Sequence, residues 1–383
     1  MKRAALFFVL MISFMACRKP YDPPAIANNG SYLVVEGVVN SGADSTTITL
    51  SRTVNVSNKV TANPVLHAVV AVENDQNTVF PLTETGNGKY VAAGLSLDNS
   101  RTYRLSIKTS DNKQYQSDLV PVNITPPIDS IGFNIVTVVD TGIQIYVNTH
   151  DSDNNTHYYR WDYDETWAFH SKYLSYWVSN GTALVERTQA QNISICYTGD
   201  VSSDIVIASS AKLKQDVLYQ SPIAFIPSTS EKIESDYSIL LREYALTADA
   251  YNFWVSLKKN TEQLGSIFDA QPSQLEGNIH CITNPAEPVI GYISVCKVSS
   301  KRFFISNAQL PGWVPVYPYA CQQDTLKTYT YNYYNDLVYP PNTLIPTGPP
   351  PPPTGLPPFF YYSTPVCVDC TVRGSKTPPP FFK

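Results

Sequence analysis

The stretch YYRWDYDETWAF, residues 158–169, decides the fold. Its odd positions carry Tyr159, Trp161, Tyr163, Trp167 and Phe169, while its even positions include Arg160, Asp162, Asp164 and Thr166. Successive side chains of a strand point to opposite faces, so a period of two over twelve residues reads as one long half-buried strand. One face is aromatic and core-forming. The other is charged and expected to meet solvent.

The strands expected around it are shorter. Leu33, Val35 and Val39 alternate with Val34, Glu36 and Val38, and Ile48 and Leu50 alternate with Thr47 and Thr49. Tyr103, Leu105 and Ile107 do the same, as do Ile143, Ile145 and Val147. Gly86-Asn87-Gly88 between two apolar runs reads as a hairpin turn. Composition agrees: many Tyr (26), Thr, Val and Ser with few long helix formers, Met falling to 3, point to β structure. The expected fold is mainly β. It has two immunoglobulin-like antiparallel β-sandwich domains, at 31–125 and 127–310, with a Pro/Tyr-rich C-terminal segment at 311–383.

One helix is expected inside the second domain, at 248–264. Thr247 serves as N-cap, and Ala250, Phe253, Trp254, Leu257 and Leu264 line one side, to pack on a sheet. After it, a strand pair is expected about Asn284-Pro285. Within the C-terminal segment Tyr329, Tyr331 and Tyr333 alternate on one face with Tyr334 opposite, and Pro349 to Pro353 form a polyproline spacer.

The chain opens with Lys2-Arg3 and an apolar run ending at Ala16-Cys17. That run is too short to span a bilayer, which needs about 20 residues, but it suits the core of a secretory signal peptide. A small residue followed by Cys resembles a bacterial lipobox, with Phe14 where Leu is usual. Residues 1–16 are thus expected to be removed, Cys17 lipidated, and 17–30 to act as a tether. Losing Lys2 and Arg3 makes the formal charge of −5 two units more negative, which speaks against a nucleic-acid partner.

Six cysteines remain: Cys196, Cys281, Cys296, Cys321, Cys367 and Cys370. In an exported protein they read as up to three disulfides. The Cys367-x-x-Cys370 pair has no second CxxC and no neighbouring His, which disfavours zinc. A bridge from Cys321 to Cys367 or Cys370 closes a long loop, worth roughly 4 kcal/mol against roughly 2 for a local bridge. Cys321 is therefore expected to pair with one of the two.

Several stretches carry a resemblance: Tyr32-Leu-Val-Val-Glu-Gly37, Tyr244 to Lys259, Gly265 to Ile279 and Pro288-Val-Ile-Gly-Tyr292. The C-terminal Cys-x-x-Cys with Gly374, Lys376, Pro380 and two final Phe adds to it, although Ser375 and Phe382 depart from the usual closing motif. These residues resemble a family of Bacteroidota lipoproteins catalogued as domain of unknown function 4249. The resemblance implies an outer-membrane lipoprotein, commonly encoded beside a TonB-dependent receptor. It supplies no catalytic residue.

Residue chemistry alone adds little to that. His150-Asp-Ser-Asp-Asn-Asn-Thr-His157 has the start of a calcium loop but Thr156 where such a loop needs Gly, so it reads as a polar hairpin. His150, His157 and His170 fit no zinc spacing. No catalytic, metal or cofactor site is expected. Aromatics are the remaining candidates. Trp167, Phe169, Tyr173, Tyr176 and Trp177 read mostly as core, and Tyr329, Tyr331, Tyr333 and Tyr334 as a binding surface for a TonB-dependent receptor. The other reading is a glycan-binding or glycan-processing lipoprotein that uses an aromatic platform.

Overall fold

Strand Tyr158–His170 lies within a five-stranded sheet, between Ile195–Val201 and Asp236–Ala245, with Ser299–Ser306 beyond the latter and Val206–Ser209 at its start. The computed structural model describes residues 31–54, 63–262, 277–317, 319–328, 330–339, 343–348 and 357–382. The signal peptide, Cys17, the tether, Leu264, Tyr329 and the run Pro349 to Pro353 lie outside them.

The architecture is mainly β. A second sheet, Val217–Pro227, Gly142–His150 and Ile128–Val136, faces the first and completes a sandwich. Tyr159, Trp161, Tyr163, Trp167 and Phe169 are all buried against Ile143, Ile145 and Val147. The alternation read from sequence is therefore the packing of this core. Tyr159 and Trp161 stack at 5.8 Å between centroids. Their polar atoms need partners in such a dry interior. The Trp161 indole donates to Glu243 at 2.8 Å, and the Tyr159 hydroxyl donates to Asp216.

The first domain also has the expected alternating core, with Leu33, Val35, Val39, Ile48, Leu50, Tyr103, Leu105 and Ile107 buried. Asn87 and Gly88 both have positive φ, as the hairpin turn requires. A Cβ on Gly88 would meet the Leu50 carbonyl at 2.3 Å. Residues 277–297, read from sequence as part of the second domain, pair with strands of the first. Ile279–Cys281 and Val289–Ile290 are the two strands that flank Asn284-Pro285, but they do not pair with each other. They add to Gln114–Ser117 and to Leu33–Asn40 respectively. Val295–Lys297 then bridges Leu33–Asn40 and Val120–Ile124, in parallel with both. Because Val120–Ile124 also pairs with Thr102–Lys108, the pairings close into a ring of strands rather than two separate sheets. A chain returning after a long excursion can add in parallel, which a tight hairpin cannot.

The C-terminal segment folds back. Asp324–Lys327, Phe359–Ser363 and Ile345–Thr347 form a small sheet. Trp177, Leu184, Tyr333, Leu337, Val338 and Phe360 make its core, so the hairpin of Trp177–Ser179 and Leu184–Glu186 supplies the apolar surface that the segment lacks.

Two disulfides hold it. Cys321 bonds Cys367, one of the two partners expected, and Cys196 bonds Cys370. Of the six candidate cysteines, Cys281 and Cys296 form no bridge and are buried free thiols. Cys281 packs in the core of the first domain, whereas Cys296 lies at the junction between the domains, so each is held by a different cluster. Burial pushes the Cys296 thiol up to about 12.

Candidate inter-domain binding groove

The tail tyrosines do not form one strand face. Tyr331 is 79% exposed, but Tyr333 is 1% exposed and stacks on Phe360 at 5.8 Å. Tyr334 is half-buried, and Tyr333–Val338 forms a wide helical turn instead of a strand. The turn lets Tyr333, Leu337 and Val338 all face the small core, which an extended chain with period two cannot do. Of the earlier aromatic set, Trp167, Phe169 and Trp177 are core, and the Tyr173 hydroxyl bonds the Cys321 carbonyl at 3.2 Å.

The charged face of strand Tyr158–His170 is placed differently from the solvated surface expected. It forms the floor of a groove against the first domain. Register sets Asp162 opposite Arg242 and Arg160 opposite Tyr244, and cross-strand neighbours on one face are close enough to interact. Arg242 donates from Nε to Asp162 at 2.7 Å and from both terminal nitrogens to Asp164 at 2.8 and 2.6 Å. The Asp164 bond, followed by the Asp162 charge, holds the Arg242 proton more firmly than usual. Burial, then Asp162, raises the Tyr244 phenol.

Arg160 is held by rings. Its guanidinium lies 4.1 Å from the Trp254 centroid and 5.3 Å from that of Tyr244, geometry for cation–π attraction. Its contact with Asp162 is 3.6 Å, outside hydrogen-bond range.

Trp254 comes from helix Ala248–Glu262, which begins as the sequence suggests. The Ala250 amide donates to the Thr247 hydroxyl at 3.2 Å. Ala250 and Phe253 are buried, and Phe253 meets Tyr292 of the returning segment at 5.5 Å. Lys258 donates to the Ile205 carbonyl at 2.6 Å, and the Ile205 amide donates to Glu262 at 2.9 Å. The helix therefore docks at the junction rather than over the centre of a sheet.

Two recesses result, of about 660 and 600 Å³. They share Glu36, Gly37, Arg160 and Asp162, which makes them one groove. The larger is polar, with Thr47 and Thr49 of the first domain on its wall. The smaller is flanked by Phe253, Trp254, Leu257 and Tyr292. Several of these side chains fall in solvent or core when read from sequence alone. The available signal was Arg160 beside Asp162 and Asp164, charges of both signs on one face of a strand.

The same outer face is capped at its far end by the C-terminus. Phe381 lies under Arg302 at 3.6 Å, and Phe382 meets Tyr197 and Phe304 at 5.5 and 5.9 Å. A Cβ on Gly374 would meet the Tyr197 carbonyl at 2.6 Å, so glycine permits this close approach.

A third cleft, of about 750 Å³, includes the loop after His150. Asp151 there accepts from the amides of Asp153, Asn155 and Thr156, which lower its pKa against the opposing effect of burial. Its carboxylate thus caps its own loop. His150, His157 and His170 have separate partners in Asp129, Ser210 and Glu234. Among the described residues no group of three His, Cys, Asp or Glu is arranged to hold a metal ion.

No curated protein matches the chain. The family described as Domain of unknown function (DUF4249) matches residues 18–302, from before the first domain into strand Ser299–Ser306. That span takes in the first domain, most of the second and every side chain of the groove, and the chain belongs to the DUF4249 family.

Proposed function

We propose that this chain is a lipid-anchored outer-membrane protein that presents a ligand to a TonB-dependent transporter, performs no chemistry on it, and holds it in the inter-domain groove. The single observation that carries the reading is the groove itself. Ligand sites favour domain boundaries and concave recesses of roughly 300–1,000 Å³, and both recesses fall in that range.

Binding rather than turnover is favoured by how the floor is wired. Asp162 and Asp164 are both hydrogen-bonded to Arg242, so the carboxylates beside the groove are already engaged within the sheet. A glycosidase instead aims a pair of carboxyl groups at the bond to be cleaved. The anchor part of the proposal rests on Ala16-Cys17 and the transporter part on the lipoprotein resemblance.

Affinity purification of the full chain from native membranes tests both parts. A TonB-dependent barrel should co-purify, and Cys17→Ala should move the protein to the soluble fraction. Recovery of the protein alone would refute the transporter, and a Cys17→Ala variant still in the membrane pellet would refute the anchor.

A further inference from the structure

We infer that the groove takes a neutral, polyhydroxylated ring ligand, an oligosaccharide, gripped through Arg160; this deepens the groove reading above and rests on it. The first observation is charge balance. The polar recess is lined by Glu36, Asp44 and Asp162 against Lys89, Arg160 and Arg242. Three carboxylates facing three cations give an ion of either sign little net attraction. The apolar recess adds Asp204 and no further cation, which disfavours an anion still more.

The second observation is the mixture of donors and acceptors. A hydroxyl both donates and accepts, so it can bond a guanidinium and a carboxylate at once. Arg160 and Asp162 stand side by side on the strand and line both recesses. Asp162 is already bonded by Arg242, whereas Arg160 meets Asp162 only at 3.6 Å, which leaves its N–H donors for a ligand. The rings of Trp254 and Tyr244 fix the guanidinium in place, so little further order is lost on binding.

The third observation is the apolar part. Phe253, Trp254 and Tyr292 line the smaller recess next to Arg160. A sugar ring has an apolar face beside its hydroxyl rim, and matches an aromatic wall meeting a charged floor. A fatty chain would leave the floor's polar groups unmatched. A polyanion would meet the carboxylates.

The test uses full-length protein in detergent. Neutral gluco-, manno- and xylo-oligosaccharides are titrated, with oligogalacturonate as the charged counterpart. Binding to at least one neutral series is expected, weakened about tenfold to a hundredfold by Arg160→Gln, the range for one lost charged hydrogen bond. Tyr331→Ser should bind as the parent does. Circular dichroism of Arg160→Gln checks the fold, and Lys89→Gln, on the opposite wall, gives a second reading of the same groove.

Binding of oligogalacturonate alone would overturn the ligand class. So would neutral binding unchanged in both groove variants, or no binding of either series. Co-purification of a barrel in those cases would leave the transporter reading intact. A neutral ligand bound without any barrel would refute the transporter and keep the ligand class.

Discussion

The C-terminal segment and the inter-domain groove use similar side chains to opposite ends. Both are rich in aromatics and both border the second sandwich. In the tail, Tyr333 and Phe360 turn inward with Trp177 and Leu184, and the aromatic surface is consumed by a small core. In the groove, Trp254 and Tyr292 flank an opening, and Arg160 stays partly accessible between two rings. An aromatic-rich segment signals an interface only when nothing else in the chain can cover it. Here the hairpin of Trp177–Ser179 and Leu184–Glu186 covers the tail, while the recesses lined by residues of both domains stay open.

The largest expected effect separates the two regions by their fastening. The Cys196–Cys370 bridge spans 174 residues and the Cys321–Cys367 bridge 46. In the chain-entropy model these are worth about 5 and about 4 kcal/mol. Cys321→Ser with Cys367→Ser should open the tail to protease while the sandwich keeps its protection. Equal cleavage of both regions would mean that they fold as one unit.

Next is the contrast within the tail. Tyr333→Ala should cost about 3–5 kcal/mol, as for other large buried aromatics, and Tyr331→Ala should stay within about 0.5 kcal/mol as an exposed change. Denaturant midpoints for the tail would compare them. Similar losses from both would return Tyr331 to a structural role.

A smaller effect, dependent on pH, belongs to the sandwich alone. Glu243 is fully buried, bonded by Trp161 and Thr149, and burial raises its pKa from 4.5 to about 7. Its raised value means that the folded state holds the proton more tightly than the unfolded chain. The stability it contributes is therefore complete below about 4.5 and is lost as pH rises through about 7. The difference is on the order of 3 kcal/mol. Urea midpoints at pH 5 and pH 8 should differ for the parent and converge in Glu243→Gln. A variant that kept the full slope would assign it to another group.

Much of the scaffold was legible because its signals are local. Trp161 and its odd-numbered neighbours declare one face of a strand, Asn87-Gly88 declares a turn, and Thr247 declares a helix start. The return of 277–297 was hidden, since strands of two or three residues are too short to show a period. The wide turn at Tyr333 was hidden for another reason. Tyr331 and Tyr333 fit a strand pattern locally, and only the distant hairpin near Trp177 makes the turned conformation better. The groove needed both domains at once: Arg160 and Asp162 read as a solvated face until Glu36, Thr47 and Thr49 stand opposite.

The central claim is that binding lives in the groove and not in the tail. Side-by-side oligosaccharide titration of Arg160→Gln and Tyr331→Ser, both in the full-length protein, tests it most directly. The account predicts about tenfold or greater loss of affinity in Arg160→Gln and none in Tyr331→Ser. Loss confined to Tyr331→Ser would contradict it and return function to the tail.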